Sequence, residues 1–185
     1  MRPPRYLLRE AVLKKILKRL PPGKFLEVGY GDGYTLLTLS KAGFWGQGYD
    51  FSDESRQEAE ILLRKKHVTT ITLLQNLDNR ERYDYILFFE VIGYWNSPAG
   101  EIARLKEHLH AGGRIIFSYT NKRHQGYAEK ATGDMKCFTR EEILRMLENE
   151  LGFKVDLVWN YGFPPANLLK PFLDVFHLMK SRSKS

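Results

Sequence analysis

Apolar residues recur at helical spacing near the start of the chain, where Leu8, Val12, Leu13, Ile16, Leu17 and Leu20 fall on one stripe. Arg9, Lys14, Lys15, Lys18 and Arg19 are read as displayed away from that stripe, and Pro21, Pro22 and Gly23 end the helix. From Lys24 the pattern changes to short apolar runs alternating with amphipathic segments. Strands are expected at Lys24 to Val28, Gly46 to Tyr49, Thr70 to Leu74, Tyr83 to Phe89, Arg114 to Tyr119 and Phe153 to Trp159. The run YDYILFFE at the fourth of these has nearly continuous bulk, as a strand buried on both faces requires.

Helices are expected between the strands. One runs from about Tyr34 to Ala42. The next is capped by Ser52, with Asp53 and Glu54 in its first turn and Arg64, Lys65, Lys66 and His67 at its end, as the helix dipole favours. Ser97 and Pro98 open a third, with Ile102, Leu105 and Leu109 facing inward, and Thr139 with Glu142 forms a capping box for a fourth. This alternation predicts an α/β fold with a largely parallel sheet, and ligands then bind at the carboxyl ends of the strands. A single domain is expected over 1–185, made of an N-terminal amphipathic helix (1–22), a core (24–160) and a tail (161–185). In the tail, Leu168, Leu169, Phe172, Leu173, Phe176 and Met179 fit one side of a helix, and the last apolar run fits an added strand equally well.

The heptapeptide EVGYGDG after the first strand holds Gly29, Gly31 and Gly33. Glycines there let the backbone approach a ligand with no Cβ in the way, and the following helix offers unpaired N–H groups. A dinucleotide fingerprint would need glycine where Tyr34 stands, and a phosphate loop would need a following lysine, which is absent. At the end of the second strand, Asp50 is placed to accept both ribose hydroxyls of a nucleoside, with Phe51 beside it to flank the base.

Composition narrows the class. At 185 residues with 43% hydrophobic and 28% charged residues, the chain suits one soluble globular domain. The N-terminal MRPPRYLLRE lacks a signal-peptide pattern, so the cytoplasm is the expected compartment. One cysteine, Cys137, excludes an internal disulfide framework and a multi-cysteine metal site. The net charge of +7 is concentrated in the termini, with KKILKR near the start and KSRSKS at the end. A solvated basic face is the leading reading of these runs, ahead of contact with an anionic membrane surface and of nucleic-acid binding.

Several motifs in order resemble class I S-adenosylmethionine-dependent methyltransferases. EVGYGDG resembles their glycine signature, YDFSDES their acidic second-strand end, YDYILFFEVIGYW the motif FDxVxxxEVLEH, LHAGGRIIFSYTN the motif LKPGGxLxxSxPN, and CFTREEILRMLENELGFKV the closing FTxEELxxLLxxAGF element. The resemblance spans roughly Lys24 to Trp159 and is closest to the small-molecule branch that includes quinone-biosynthesis enzymes. It implies a Rossmann-like, doubly wound, mostly parallel sheet of six to seven strands with helices on both faces. The family sheet closes with an antiparallel hairpin, of which the sequence supplies one convincing strand.

The resemblance also implies site roles. S-adenosylmethionine is the expected cofactor, with Glu27, Gly29, Tyr30, Gly31 and Gly33 cradling its methionine part and Asp50 holding the ribose. Asn76 is the first choice, and Asp78 the second, for the adenine amino group, while Phe89 and Glu90 would lie beside the sulfonium. The family's Glu-His pair after the fourth strand is here Gly93 and Tyr94, so the resemblance does not carry over the metal or base role associated with that histidine. Glu90, Tyr94, Tyr119 and His124 are the candidates for a general base, and no metal site is expected. Tyr94 and Trp95 either wall an apolar acceptor pocket or close the core, and His124 is either catalytic or a plain surface histidine in the loop Thr120 to Lys136. The leading expectation is direct methyl transfer to a small molecule. A macromolecular acceptor, and a non-catalytic, membrane-associated cofactor-binding module, are the alternatives.

Overall fold

The computed structural model describes residues 4–77, 80–122, 135–161 and 174–181. The elements follow in the order α1 (Pro4–Leu17), β1 (Lys24–Val28), α2 (Tyr34–Lys41), β2 (Trp45–Tyr49), α3 (Asp53–Lys65), β3 (Ile71–Leu74), β4 (Tyr83–Phe89), α4 (Pro98–Lys106), β5 (Leu109–Tyr119), α5 (Arg140–Leu144), β6 (Phe153–Tyr161) and β7 (Asp174–Ser181). A short 3₁₀ turn, Ile92–Tyr94, follows β4, and a π-helical turn, Arg145–Glu150, continues α5.

The strands form one seven-stranded sheet in the order β3-β2-β1-β4-β5-β7-β6. Neighbours from β3 to β5 run parallel, and β7 runs antiparallel to both β5 and β6. The chain winds outward from β1 to β3 and then returns to β4 on the other side of β1. That reversal opens a crevice at the carboxyl ends of β1 and β4, where α/β sheets bind ligands.

Alternation along the strands sends successive side chains into two cores. Phe25, Tyr85, Leu87, Phe89 and Ile116 pack with α1, α2 and α3 on one face, against Val12, Leu13, Ile16, Leu36, Leu39, Ala59 and Leu63. Leu26, Val28, Ile86, Phe88, Ile115 and Phe117 pack on the other face, against Ile102 and Leu105 of α4, Ile143 of α5, and Met146 and Leu147. Burying a leucine- or phenylalanine-sized side chain contributes about 1.5–3 kcal/mol, so these two layers are the main source of stability.

The expected caps are present. Ser52 accepts a hydrogen bond from the Ser55 amide at 3.2 Å, and Thr139 and Glu142 exchange bonds at 3.1 and 2.7 Å. The Thr139 amide, donating to Glu142, holds that carboxyl below its ordinary range. Several boundaries differ from expectation: β2 starts at Trp45 rather than Gly46, and β6 runs to Tyr161 rather than Trp159. Helix α1 ends at Leu17 rather than Leu20, and β5 starts at Leu109 rather than Arg114, because Leu109 pairs with Tyr83 and the ladder shifts register before Tyr85. The tail supplies β7, the second strand of the closing hairpin, which places Phe176 and Met179 on a strand and not a helix, whereas Leu168, Leu169, Phe172 and Leu173 lie outside the described residues.

Candidate active site

The glycine turn lies at the crevice. The Gly29 amide donates to the Tyr49 carbonyl at 2.8 Å, tying the ends of β1 and β2 together. Gly29, Gly31 and Gly33 all have positive φ, at 73°, 55° and 76°, which other residues adopt only at a cost. Their surroundings separate them. A Cβ at Gly29 would strike Val91, and one at Gly33 would lie 2.8 Å from the Ala59 Cβ, so those two glycines also serve packing. A Cβ at Gly31 would meet no protein atom within 4 Å. Open space beside a sharply turned backbone, next to the amino end of α2, is the form of a ligand cradle.

Asp50 stands directly behind the cradle. It is only 8% exposed, and its two oxygens accept from the Gly31 amide at 2.9 Å and the Ser52 amide at 3.0 Å. Each oxygen keeps a further lone pair for a ligand hydroxyl. The neighbouring Phe51 is 90% exposed, leaving its ring available to a planar base. Tyr30 turns away from the opening. It is buried in the core under α2 and α3, where burial, then the Asp50 charge, push its phenol up to about 12.

Glu27 is the unusual member. As the fourth residue of β1 it points to the α1 and α2 side, where it is 1% exposed and its Oε2 has no hydrogen-bond partner. Burial raises its carboxyl to about 8; Arg9 opposes that shift, Asp32 and Asp50 add to it, and the Thr35 hydroxyl bonds to the carboxyl and opposes it. The protonated form therefore dominates near neutral pH.

Arg9 corrects the sequence reading. It was expected away from the apolar stripe of α1, yet it precedes Val12, Leu13 and Ile16 by three, four and seven residues and so shares their face. Its guanidinium reaches Glu90 at 3.6 Å and lies 5.5 Å from the Phe89 ring centre and 5.0 Å from that of Tyr6. Helix α1 thereby covers the sheet end with a cation. That position in the apolar repeat was the available signal, and a long cationic side chain on a helix is easily assigned to solvent.

Beyond β4, Glu90 has φ 60°, a strained conformation for a non-glycine residue, and its amide donates to the Ser118 carbonyl at 3.1 Å. Gly93 lies under residues 135 and 136: a Cβ there would come 2.5 Å from both Met135 Cγ and the Lys136 carbonyl oxygen. The Lys136 amide donates to the Gly93 carbonyl at 2.9 Å, and its Nζ donates to the Trp95 and Asn96 carbonyls at 3.4 and 3.3 Å. Trp95 packs on Phe88 with ring centres 5.0 Å apart, whereas Tyr94 is 59% exposed beside the crevice.

Of the remaining candidates, Asn76 is exposed just after β3, Phe89 is buried under Arg9, and the Tyr119 ring belongs to the α4 and α5 core. Asp78 and His124 lie outside the described residues. Among the described residues no helix is long and apolar enough to cross a membrane.

Fold and cradle together give an α/β protein with an open glycine turn and a buried carboxylate at the carboxyl ends of its strands. Comparison with known proteins specifies the class: a family model described as a methyltransferase domain matches residues 4–163, and the chain belongs to that family of class I S-adenosylmethionine-dependent methyltransferases. A ubiquinone biosynthesis O-methyltransferase of Bradyrhizobium is 25% identical over 163 residues, covering 86% of this chain and 60% of that protein. The chain thus spans less than two thirds of that relative's length. Magnesium protoporphyrin IX methyltransferase from Synechocystis, solved with bound S-adenosylmethionine, shares the fold at a TM-score of 0.75 with 16% identity, covering 94% of this chain and 78% of that one. A ribosomal protein L11 methylase from Lactobacillus delbrueckii does so at 0.64 with 21% identity, covering 94% and 78%.

Proposed function

We propose that the chain transfers a methyl group from S-adenosylmethionine to a small apolar or aromatic acceptor. The observation that carries this is the pairing of the open Gly31 backbone with the buried Asp50 carboxylate, held in place by two amides. The cofactor supplies an electrophilic methyl group on a sulfonium, with a neutral thioether as leaving group. Asp50 would accept the ribose hydroxyls, Phe51 would flank the adenine, and the Gly29 to Gly33 backbone would lie along the methionine part. Glu27 and Arg9, an acid and a cation at the inner end of the cradle, suit the ammonium and carboxylate of an amino acid.

The chain's own contribution to the transfer is alignment and exclusion of water. Tyr94, exposed on the 3₁₀ turn after β4, would border the acceptor. Glu90 is the best-placed described carboxylate to take a proton from an acceptor hydroxyl, and its strained backbone fixes it at the end of β4. The small-molecule acceptor is supported by the ubiquinone-pathway relatives. Calorimetric titration with S-adenosylhomocysteine tests the reading. Binding is expected, weakened at least tenfold by Asp50→Ala with the fold retained, and no binding to the unaltered protein would overturn the proposal.

A further inference from the structure

Glu27 faces a concentration of negative charge. Asp32 approaches from the glycine turn and Asp50 from the end of β2, the Thr35 hydroxyl faces it from α2, and the Tyr30 phenol lies within its electrostatic reach. The cation acting on it is Arg9 of α1, which is shared with Glu90 from the end of β4. One guanidinium therefore serves two carboxyls, of which Glu27 is 1% exposed. Ionising Glu27 in the empty protein would leave a buried charge with Oε2 unpartnered.

We propose that Glu27 is a proton-exchanging recognition residue: the empty protein holds it as the neutral acid, and entry of the donor's α-ammonium drives its proton out to solvent. The inference rests on the cofactor reading above. The step is balanced. The O–H bond of Glu27 breaks, the proton passes to buffer, the ammonium keeps its three hydrogens, and the new ammonium–carboxylate pair replaces the lost neutrality. A ligand that brings its own positive charge is thus favoured over an uncharged nucleoside, because only the charged ligand compensates the ionised acid.

Linkage makes the idea measurable. If binding requires the carboxylate, affinity rises with pH until Glu27 is ionised in the free protein, by about fivefold to tenfold between pH 7 and pH 8.5. Titration calorimetry with S-adenosylhomocysteine at pH 7 in phosphate and in Tris, whose ionisation heats differ, counts the protons. Release of close to one proton is expected from the unaltered protein. Glu27→Gln should bind with none released and with affinity flat across that pH range. Equal heats in the two buffers, or the same release from Glu27→Gln, would overturn this inference while leaving the cofactor assignment standing. Complete absence of binding overturns both. Should Glu27→Gln fail to fold, the two-buffer comparison on the unaltered protein decides alone.

Discussion

A carboxyl that stays neutral at pH 7 makes the empty protein sensitive to alkali. In the unfolded chain Glu27 ionises near its ordinary value of 4.5, and in the folded protein near 8. Below 4.5 both states hold the proton and its stabilising effect is complete; as pH rises toward 8 the unfolded state gains from ionisation and that stability is lost. Glu27→Gln removes the titration. Its melting temperature should match or trail the unaltered protein near pH 5 and exceed it at pH 8.5 by at least about 2–4 °C, the shift that about 1 kcal/mol gives at this size. A second contrast separates the glycines. Gly31→Ala should cost about 1–2 kcal/mol in urea unfolding from its positive φ and weaken S-adenosylhomocysteine binding more than tenfold, whereas Gly33→Ala adds a clash with Ala59 and should show the larger stability loss. Gly31, Gly33 and Asp50 could be picked out in the sequence because spacing alone places them at strand ends. Arg9 could not be given its role in the same way, since helical periodicity fixes the face of a side chain without saying which carboxylates wait at the far end of a guanidinium.

At the level of elements, the turn after β4 shows why a departure from the family motif is tolerated. The glutamate of the usual Glu-His pair has no room here, because Met135 and the Lys136 carbonyl occupy the space above Gly93. Gly93→Glu, which restores the motif letter, is expected to cost on the order of 1–3 kcal/mol in urea unfolding and to bring no gain in methyl transfer. The motif gave no hint of this packing, which depends on a segment more than forty residues downstream. The tail shows a different limit. A strand lying between two partners has a nearly continuous apolar sequence, and DVFHLMK satisfies a helical stripe as well as a pleat. What decides is the pair of open edges offered by β5 and β6, both of which β7 fills.

For the molecule as a whole, most of the parallel part of the sheet could be read ahead of time because β1, β2 and β4 are each followed by a helix that must return across a face. The closing pair could not, since its order depends on insertion. Removing residues 174–181 should therefore break the sheet between β5 and β6 instead of trimming an edge. Broad, non-cooperative thermal unfolding and increased aggregation are expected by calorimetry and light scattering, and a sharp transition like that of the full chain would contradict the role given to β7. The same insertion orders events during synthesis. Most of the glycine-turn side, β1, α2, β2 and α3, is contiguous and leaves the ribosome early, but β5 keeps an unsatisfied edge until residues 174–181 clear the exit tunnel. The interval between the emergence of β5 and that of β7 is thus the one in which an unpaired edge is exposed and aggregation is most favoured.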